Sequence, residues 1–317
     1  MEFVTEEPIL VVGLGGAACK LAINAKDKLG ADCLLISHDP KDLNADCSKI
    51  LVNTSPILNP SSYLIRGVSF GALESVKEKL AKYPTLVIIA NLAGKSGAAL
   101  APIISQVGKD LGKNVLSFGI MPFKFEKDKI FFSGVSLERL KANSDCTVIV
   151  DNDALLESNP DLSPDSCHAI TNTALLEILS SLKNSHFPLK TNILSTSKDV
   201  SDIQTSLRDA IKMLYEDAPP NSVKSAMLYV MGGNKISVGA LNSMVNTISG
   251  IFNDDSTRVS LSVVAGETSK VVMLTSIDGE TRFDKYDPLG LIPKQNTLDW
   301  DEPDRSIKLD LDLRQLE

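Results

Sequence analysis

Along the first 150 residues, short unbroken apolar runs alternate with longer stretches whose apolar positions recur at helical spacing. The runs at 9–12, 33–36, 86–90, 115–120 and 147–150 predict buried strands. Helices are predicted between them at 15–29, 71–82 and 97–111; on 71–82, Leu73, Val76 and Leu80 share one face. Such alternation predicts an α/β fold, a parallel sheet with helices on both faces. Sheets of this kind take their ligands at the carboxyl ends of the strands.

The second half has a different rhythm. Helices are predicted at 165–182, 199–214 and 238–252, and a strand at 226–231 closed by Gly232-Gly233. Segments 258–265 and 270–277 are expected to pair with each other through the turn Gly266-Glu267-Thr268-Ser269. Together these predict a smaller, mixed-sheet α/β domain. Residues 287–317 carry eight acidic and four basic side chains and few core-type runs, so an extended tail is expected. Within it, 307–314 alternates apolar and charged residues. That pattern suits a strand added to a partner's sheet edge, or an edge strand of the chain's own domain.

Composition narrows the classes. The 317 residues are 43% hydrophobic and 23% charged, enough for one large domain or two ordinary ones. A net charge of −8 argues against nucleic-acid binding and against adhesion to anionic lipid. Five cysteines show no CxxC spacing, and Cys19, Cys33 and Cys146 lie in apolar segments, as small core residues do in a reducing compartment. The three histidines show no ligand spacing, and no metal site is expected. Neither a signal-type start nor a membrane-length apolar stretch is present. The expectation is a cytoplasmic protein without direct membrane insertion.

Candidate chemistry begins at Gly13-Leu14-Gly15-Gly16-Ala17-Ala18, a G-x-G-x-x-A turn between strand and helix. Glycines let the backbone approach a phosphate, and a helix N-terminus offers free N–H groups and a positive dipole end. With Asp39 at the end of the second strand, these features fit a dinucleotide-dependent oxidoreductase. They also fit a glycine turn required only for close helix–strand packing. A second small-residue turn, Asn91-Leu92-Ala93-Gly94-Lys95-Ser96-Gly97-Ala98-Ala99-Leu100-Ala101-Pro102, ends the third strand. Two turns facing one crevice suit a polyphosphate better than a dinucleotide. A Walker A reading of Gly94-Lys95-Ser96 fails, because its earlier glycine would fall at Ile89 inside the strand.

In order and spacing, the chain resembles the prokaryotic FtsZ branch of the FtsZ/tubulin superfamily over residues 8–284. The first FtsZ loop, like GVGGAGNNA, is matched by GLGGAACKL; the signature GMGGGTGTGAAP by NLAGKSGAALAP. KPFNFEGK is matched by Met121-Pro122-Phe123-Lys124-Phe125-Glu126-Lys127, and PND by Asp151-Asn152-Asp153. The synergy loop NVDFADV is matched by Ser197-Lys198-Asp199-Val200-Ser201-Asp202-Ile203.

The resemblance implies a nucleotide-binding domain at 1–164, a central helix at 165–184, a C-terminal α/β domain at 185–284 and an acidic tail at 285–317. It implies GTP or GDP, with magnesium if nucleotide is bound, and head-to-tail self-association. Gly13, Gly15, Gly16, Gly94, Lys95, Ser96 and Gly97 would line phosphates; Glu126 would reach the ribose; Asn152 and Asn172 would lie at the base. Asp199 and Asp202 would polarise the attacking water across a subunit contact, as positioned carboxylates can. Their other reading is as helix caps. Lys95 either reaches a phosphate or points elsewhere.

The pattern also departs from the family. Asn91, Ala93, Lys95 and Ala99 replace four glycines of the signature loop, Ala18 another, and each Cβ restricts backbone approach. Ile130 stands for an arginine, Thr173 for the base-recognising aspartate, and Ser197 for the synergy-loop asparagine. The expected protein is an FtsZ-like cytoskeletal subunit with weakened or lost GTP binding. A slow, assembly-coupled GTPase of cell division is the alternative, with the tail binding a tether or regulator.

Overall fold

The computed structural model describes residues 2–182, 187–198, 202–232, 236–252, 258–263 and 270–287. Chain order begins β1 (Glu2–Phe3), β2 (Ile9–Leu14), α1 (Gly16–Leu29), β3 (Asp32–Ser37), β4 (Ser48–Leu51), α2 (Ser62–Ser69) and α3 (Leu73–Leu80). It continues β5 (Thr85–Asn91), α4 (Lys95–Asp110), β6 (Asn114–Met121), α5 (Lys127–Ala142), β7 (Cys146–Asp151), α6 (Asn152–Ser158) and α7 (Pro164–Ser181). It ends β8 (Phe187–Pro188), β9 (Lys190–Thr196), α8 (Ile203–Asp217), β10 (Val223–Gly232), α9 (Val238–Phe252), β11 (Arg258–Val263) and β12 (Lys270–Ile277). Short 3-10 turns cover Pro40–Leu43 and Arg282–Tyr286.

The parallel, doubly covered sheet expected from the apolar runs is present. Leu10, Val12 and Leu14 of β2 enter one core, while Ile9 and Val11 enter the other. Burial on both faces is why these strands read as continuous apolar runs rather than alternating ones. The mixed-sheet half is also present, and it is not a separate sheet. One ten-stranded sheet runs β11-β10-β12-β9-β7-β6-β5-β2-β3-β4. β9 pairs in parallel with β7, Cys146 opposite Lys190 through Val150 opposite Leu194. β12 is antiparallel to both β9 and β10, and β10 is parallel to β11. Apart from β12, every strand of this sheet therefore points the same way.

One expectation is corrected. Segments 258–265 and 270–277 do not pair with each other, because β10 lies between β11 and β12. β10 is apolar on both faces, with Leu228 and Val230 in one core and Met227 and Tyr229 in the other. Its crossover through α9 returns β11 beside it in parallel, as β-α-β units do. The turn 266–269 lies outside the described residues, as do Gly233 and the tail from 288 onward.

The join between the halves is held by a buried guanidinium. Arg282 pairs with Asp151 at the end of β7, with Asp153 of α6 at 3.4 Å, and with Asp217 of α8 at 3.0 Å. Asp151 and Asp217 are essentially inaccessible to solvent. Burial, reinforced by Asp153, pushes the Asp217 carboxyl above the usual carboxylate range. Lys124 closes the outer side through Asp153 and Glu157. Removing one partner from such a group strands the others without compensation. Arg282→Met is therefore expected to lower stability by about 3–5 kcal/mol, measured by urea unfolding. A loss under about 1 kcal/mol would mean that water solvates the carboxylates, as at exposed pairs.

Candidate nucleotide site

Because the strands are parallel, Leu14, Ser37, Asn91, Met121 and Asp151 end at one edge, and the predicted loops converge there. Gly15 caps α1 with φ of 81°, a conformation that L side chains rarely adopt, and its N–H donates to the Ile36 carbonyl at 2.9 Å. A Cβ on Gly15 would lie 2.9 Å from the Ser96 Cβ, so the two small-residue turns touch each other. Gly13 has a packing role: a Cβ there would fall 2.8 Å from the Cys19 Cα, against α1 itself.

The N-terminus of α1 faces a carboxylate from the same chain. Ser37 ends β3, and the 3-10 turn after it carries Asp42 back across the edge. Asp42 Oδ1 lies 2.5 Å from the position of a Cβ on Gly16, and Oδ2 accepts the Ser37 hydroxyl at 2.6 Å. α1 has no acidic residue in its own first turn, so Asp42 is the anion that its dipole meets. The Cys19 thiol, hydrogen-bonded to the Gly13 carbonyl at 3.4 Å, is pushed up to about 12 by burial and then by Asp42. Asp39, the acid expected at a ribose, instead caps its own turn by accepting the Lys41 N–H at 2.9 Å.

The second turn is closed in the same manner. Asn91 Oδ1 accepts the Ala93 N–H at 3.0 Å, and the Asn91 carbonyl accepts the Gly94 N–H at 3.0 Å. A side chain at Gly97 would collide with that carbonyl. Ser96 is buried, its Oγ 2.6 Å from His38 Nδ1. Lys95 donates to Asn59 Oδ1 at 2.5 Å, and both line one cavity with Gly94 and Ala98.

The remaining candidates are partly engaged. Glu126 accepts the Phe123 N–H at 3.1 Å and pairs with Lys129 at 2.5 Å. Asn152 is fully buried and accepts the Thr171 hydroxyl at 2.5 Å, while its Nδ2 has no partner. Asn172 is half-buried on α7, beside Thr171. Asp199 lies outside the described residues. Asp202 is the N-cap of α8, accepting the N–H groups of Gln204 at 3.3 Å and Thr205 at 3.0 Å and the Thr205 hydroxyl at 2.7 Å. The segment 197–203 follows strand β9, not the central helix α7. Since β9 is parallel to β7, Asp202 leaves the sheet at the same edge as the glycine turns.

Residues that the sequence reading passed over are those that fill the crevice: Ser37, His38, Asp42 and Asn59. Asp39 marks the end of the second strand in the sequence, but nothing local announces that Asp42 reaches Gly16. All five cysteines are free thiols; Cys19, Cys33, Cys146 and Cys167 are buried. Among the described residues there is no cluster suited to a metal ion and no helix long and apolar enough to cross a membrane.

This arrangement defines the class: an α/β fold with a parallel sheet continued by a mixed-sheet half. Residues 70–160 match the model of the Tubulin/FtsZ family, GTPase domain. Cell division protein FtsZ 1 of Thermococcus kodakarensis is 26% identical over 217 residues, 63% of this chain and 55% of that protein. The chain thus matches about half the length of that relative. An empty FtsZ dimer from M. jannaschii has a TM-score of 0.70 at 18% identity, covering 86% of this chain and 88% of its own. CetZ2 from Haloferax volcanii, a GTPgS-bound protofilament, has a TM-score of 0.69 at 15% identity, covering 89% and 97%. The chain is thus similar to FtsZ proteins at modest identity and shares the fold of FtsZ and CetZ.

The cap geometry of Asp202 has a measurable consequence. Hydrogen bonds from Thr205, and then Gln204, hold its carboxyl below the usual carboxylate range. A depressed folded-state value stabilises above the ordinary range and loses that stabilisation as pH falls through it. Asp202→Ala is expected to lower the Tm by roughly 2–4 °C at neutral pH, with the gap closing in acid. An unchanged Tm at neutral pH would show that the cap contributes nothing.

Proposed function

We propose that this chain is an FtsZ-like assembly subunit whose nucleotide site is satisfied from within, so that GTP and GDP bind weakly or not at all. The observation that carries the reading is the Asp42 carboxylate against Gly16, where a phosphate would have to approach the α1 N-terminus. A phosphate brought within about 4 Å of that carboxylate meets a repulsion of about 4 kcal/mol per unit charge at an effective dielectric constant near 20. It would also have to break the Ser37–Asp42 bond and displace His38 from Ser96. Lys95, the one new cation in the signature turn, is directed to Asn59 and does not offset this charge. The residues present do not fit a triphosphate, and magnesium would enter only with one.

The position of Asp202 supports the same reading. A head-to-tail contact needs the acceptor site and the activating group on opposite ends of a subunit. Asp202 emerges at the edge that carries the chain's own glycine turns. Its capping bonds account for the carboxylate without a water-activating role. Self-association is supported by the dimer and protofilament among similar structures, and here it would proceed without hydrolysis. We place the protein in the cytoplasm, with residues 307–314 as the strand offered to a tether or regulator.

Isothermal titration with GTP and magnesium tests the pocket. The expected affinity is weaker than about 0.1 mM, improving about tenfold or more in Asp42→Asn, where the repelling charge is removed. Submicromolar affinity in the unmodified protein, unaltered by Asp42→Asn, would overturn the proposal. Filaments seen by electron microscopy should be the same with and without GTP.

A further inference from the structure

Among the described residues, Tyr63, Phe131 and Phe132 form a concentrated exposed aromatic surface beside the signature turn. Tyr63 of α2 is 63% exposed, and Phe131 and Phe132 of α5 are 37% and 36% exposed. They form a chain of edge-to-face contacts, Tyr63 to Phe132 at 5.2 Å and Phe132 to Phe131 at 5.3 Å. With Val135 and Ala98 they wall a cleft of about 210 Å³ between α2 and α5. Contiguous apolar clefts of this kind mark docking sites.

The cleft is also cationic. Arg66 and Arg139 line it. Arg66 is half-buried, and the groups acting on it are its own burial, the neighbouring Arg139 and Tyr63. Among the described residues, no carboxylate pairs with either arginine, in a chain whose net charge is −8. Two adjacent guanidiniums beside exposed aromatic rings call for a ligand that is both acidic and aromatic.

The chain contains one such segment. Leu298-Asp299-Trp300-Asp301-Glu302-Pro303-Asp304 holds four carboxylates, no cation and the only tryptophan of the protein. The described chain that leads to it ends close to the cleft. The turn Arg282–Tyr286 crosses α5 at Gly134, where a Cβ would fall 2.6 Å from the Tyr286 carbonyl carbon. Gly134 lies within a turn of Phe131, Phe132 and Val135 on the same helix. Ten residues separate Asp287 from Leu298, and the eleven steps between them can span up to about 36–40 Å, while a helix with its side chains is about 10–12 Å across. A tether of this length gives an effective concentration on the order of millimolar.

We infer that the cleft between α2 and α5 is the docking site of the chain's own segment 298–304, with Trp300 against Tyr63 and Phe132 and its flanking carboxylates facing Arg66 and Arg139. Large aromatic and arginine anchors of this kind carry most of the energy of small interfaces. The contact would leave 307–314 outside the cleft.

Trp300 is its own reporter in the full-length chain. The inference predicts blue-shifted emission and protection from acrylamide quenching, independent of protein concentration. Protection should be lost in Arg66→Glu/Arg139→Glu and in Phe132→Ala. It should also be lost in Asp299→Asn/Asp301→Asn/Glu302→Gln, a variant checked for folding by its far-UV circular dichroism. Combining Asp301→Arg/Glu302→Arg with Arg66→Glu/Arg139→Glu should restore it. Full exposure of Trp300 in the unmodified chain would overturn the inference. So would protection that survives all the cleft and tail variants, which places the segment elsewhere. Protection that appears only as concentration rises would assign the cleft to a second copy and overturn docking within one chain.

Discussion

Three buried carboxylates converge on one guanidinium, and the junction of the sheet is built around that meeting. Asp151 ends β7, Asp153 opens α6 and Asp217 ends α8; Arg282 reaches all three from the turn that closes the described chain. None of these elements could bring its carboxylate inside alone, because a buried charge without a partner is far costlier than an exposed one. With Arg282 present, α6 and α8 can sit over the ends of β7 and β9. The parallel contact between those strands then fixes the direction of everything that follows, and so decides at which edge each loop emerges.

At that edge, the same physics that attracts phosphate has been satisfied locally. A helix N-terminus presents unpaired N–H groups and a partial positive charge to whatever anion is nearest. For α1 that anion is Asp42, held by Ser37. For Ser96, at the first turn of α4, the nearest partner is the His38 ring. The backbone plan of two glycine-bearing turns in contact is kept, with side chains of the neighbouring β3 loop lying where the crevice would open. The loop glycines thus serve packing, most plainly Gly13 against α1.

The parallel core was legible in sequence because its strands are buried on both faces, and burial on two faces leaves an unbroken apolar run. β9 was not, since Thr191, Asn192, Ser195 and Thr196 interrupt it, and Asn192, Ser195 and Thr196 are buried polar side chains paired inside the sheet or left unpartnered. With that strand unseen, the Asp-x-x-Asp that follows could be matched to a loop after a helix, although an aspartate before a helix is equally the mark of a cap. β11 and β12 looked like a hairpin because adjacency in sequence was the only clue to adjacency in space. In the site, the glycine turns were legible as local patterns. Asp42 and His38 were not, because the contacts Asp42–Gly16 and His38–Ser96 join residues 26 and 58 positions apart.

Continuity of the sheet has a mechanical side. A molecule made of two sheets joined by a helix can rotate one against the other at little cost, and such rotations are a common way of coupling a binding event to a distant surface. Here the two halves share the β7–β9 ladder, and turning one against the other would tear hydrogen bonds along five residue pairs while uncovering the Arg282 cluster. The protein is stiff where a hinge would be needed. Any change of shape must be carried by the helices and loops around the sheet.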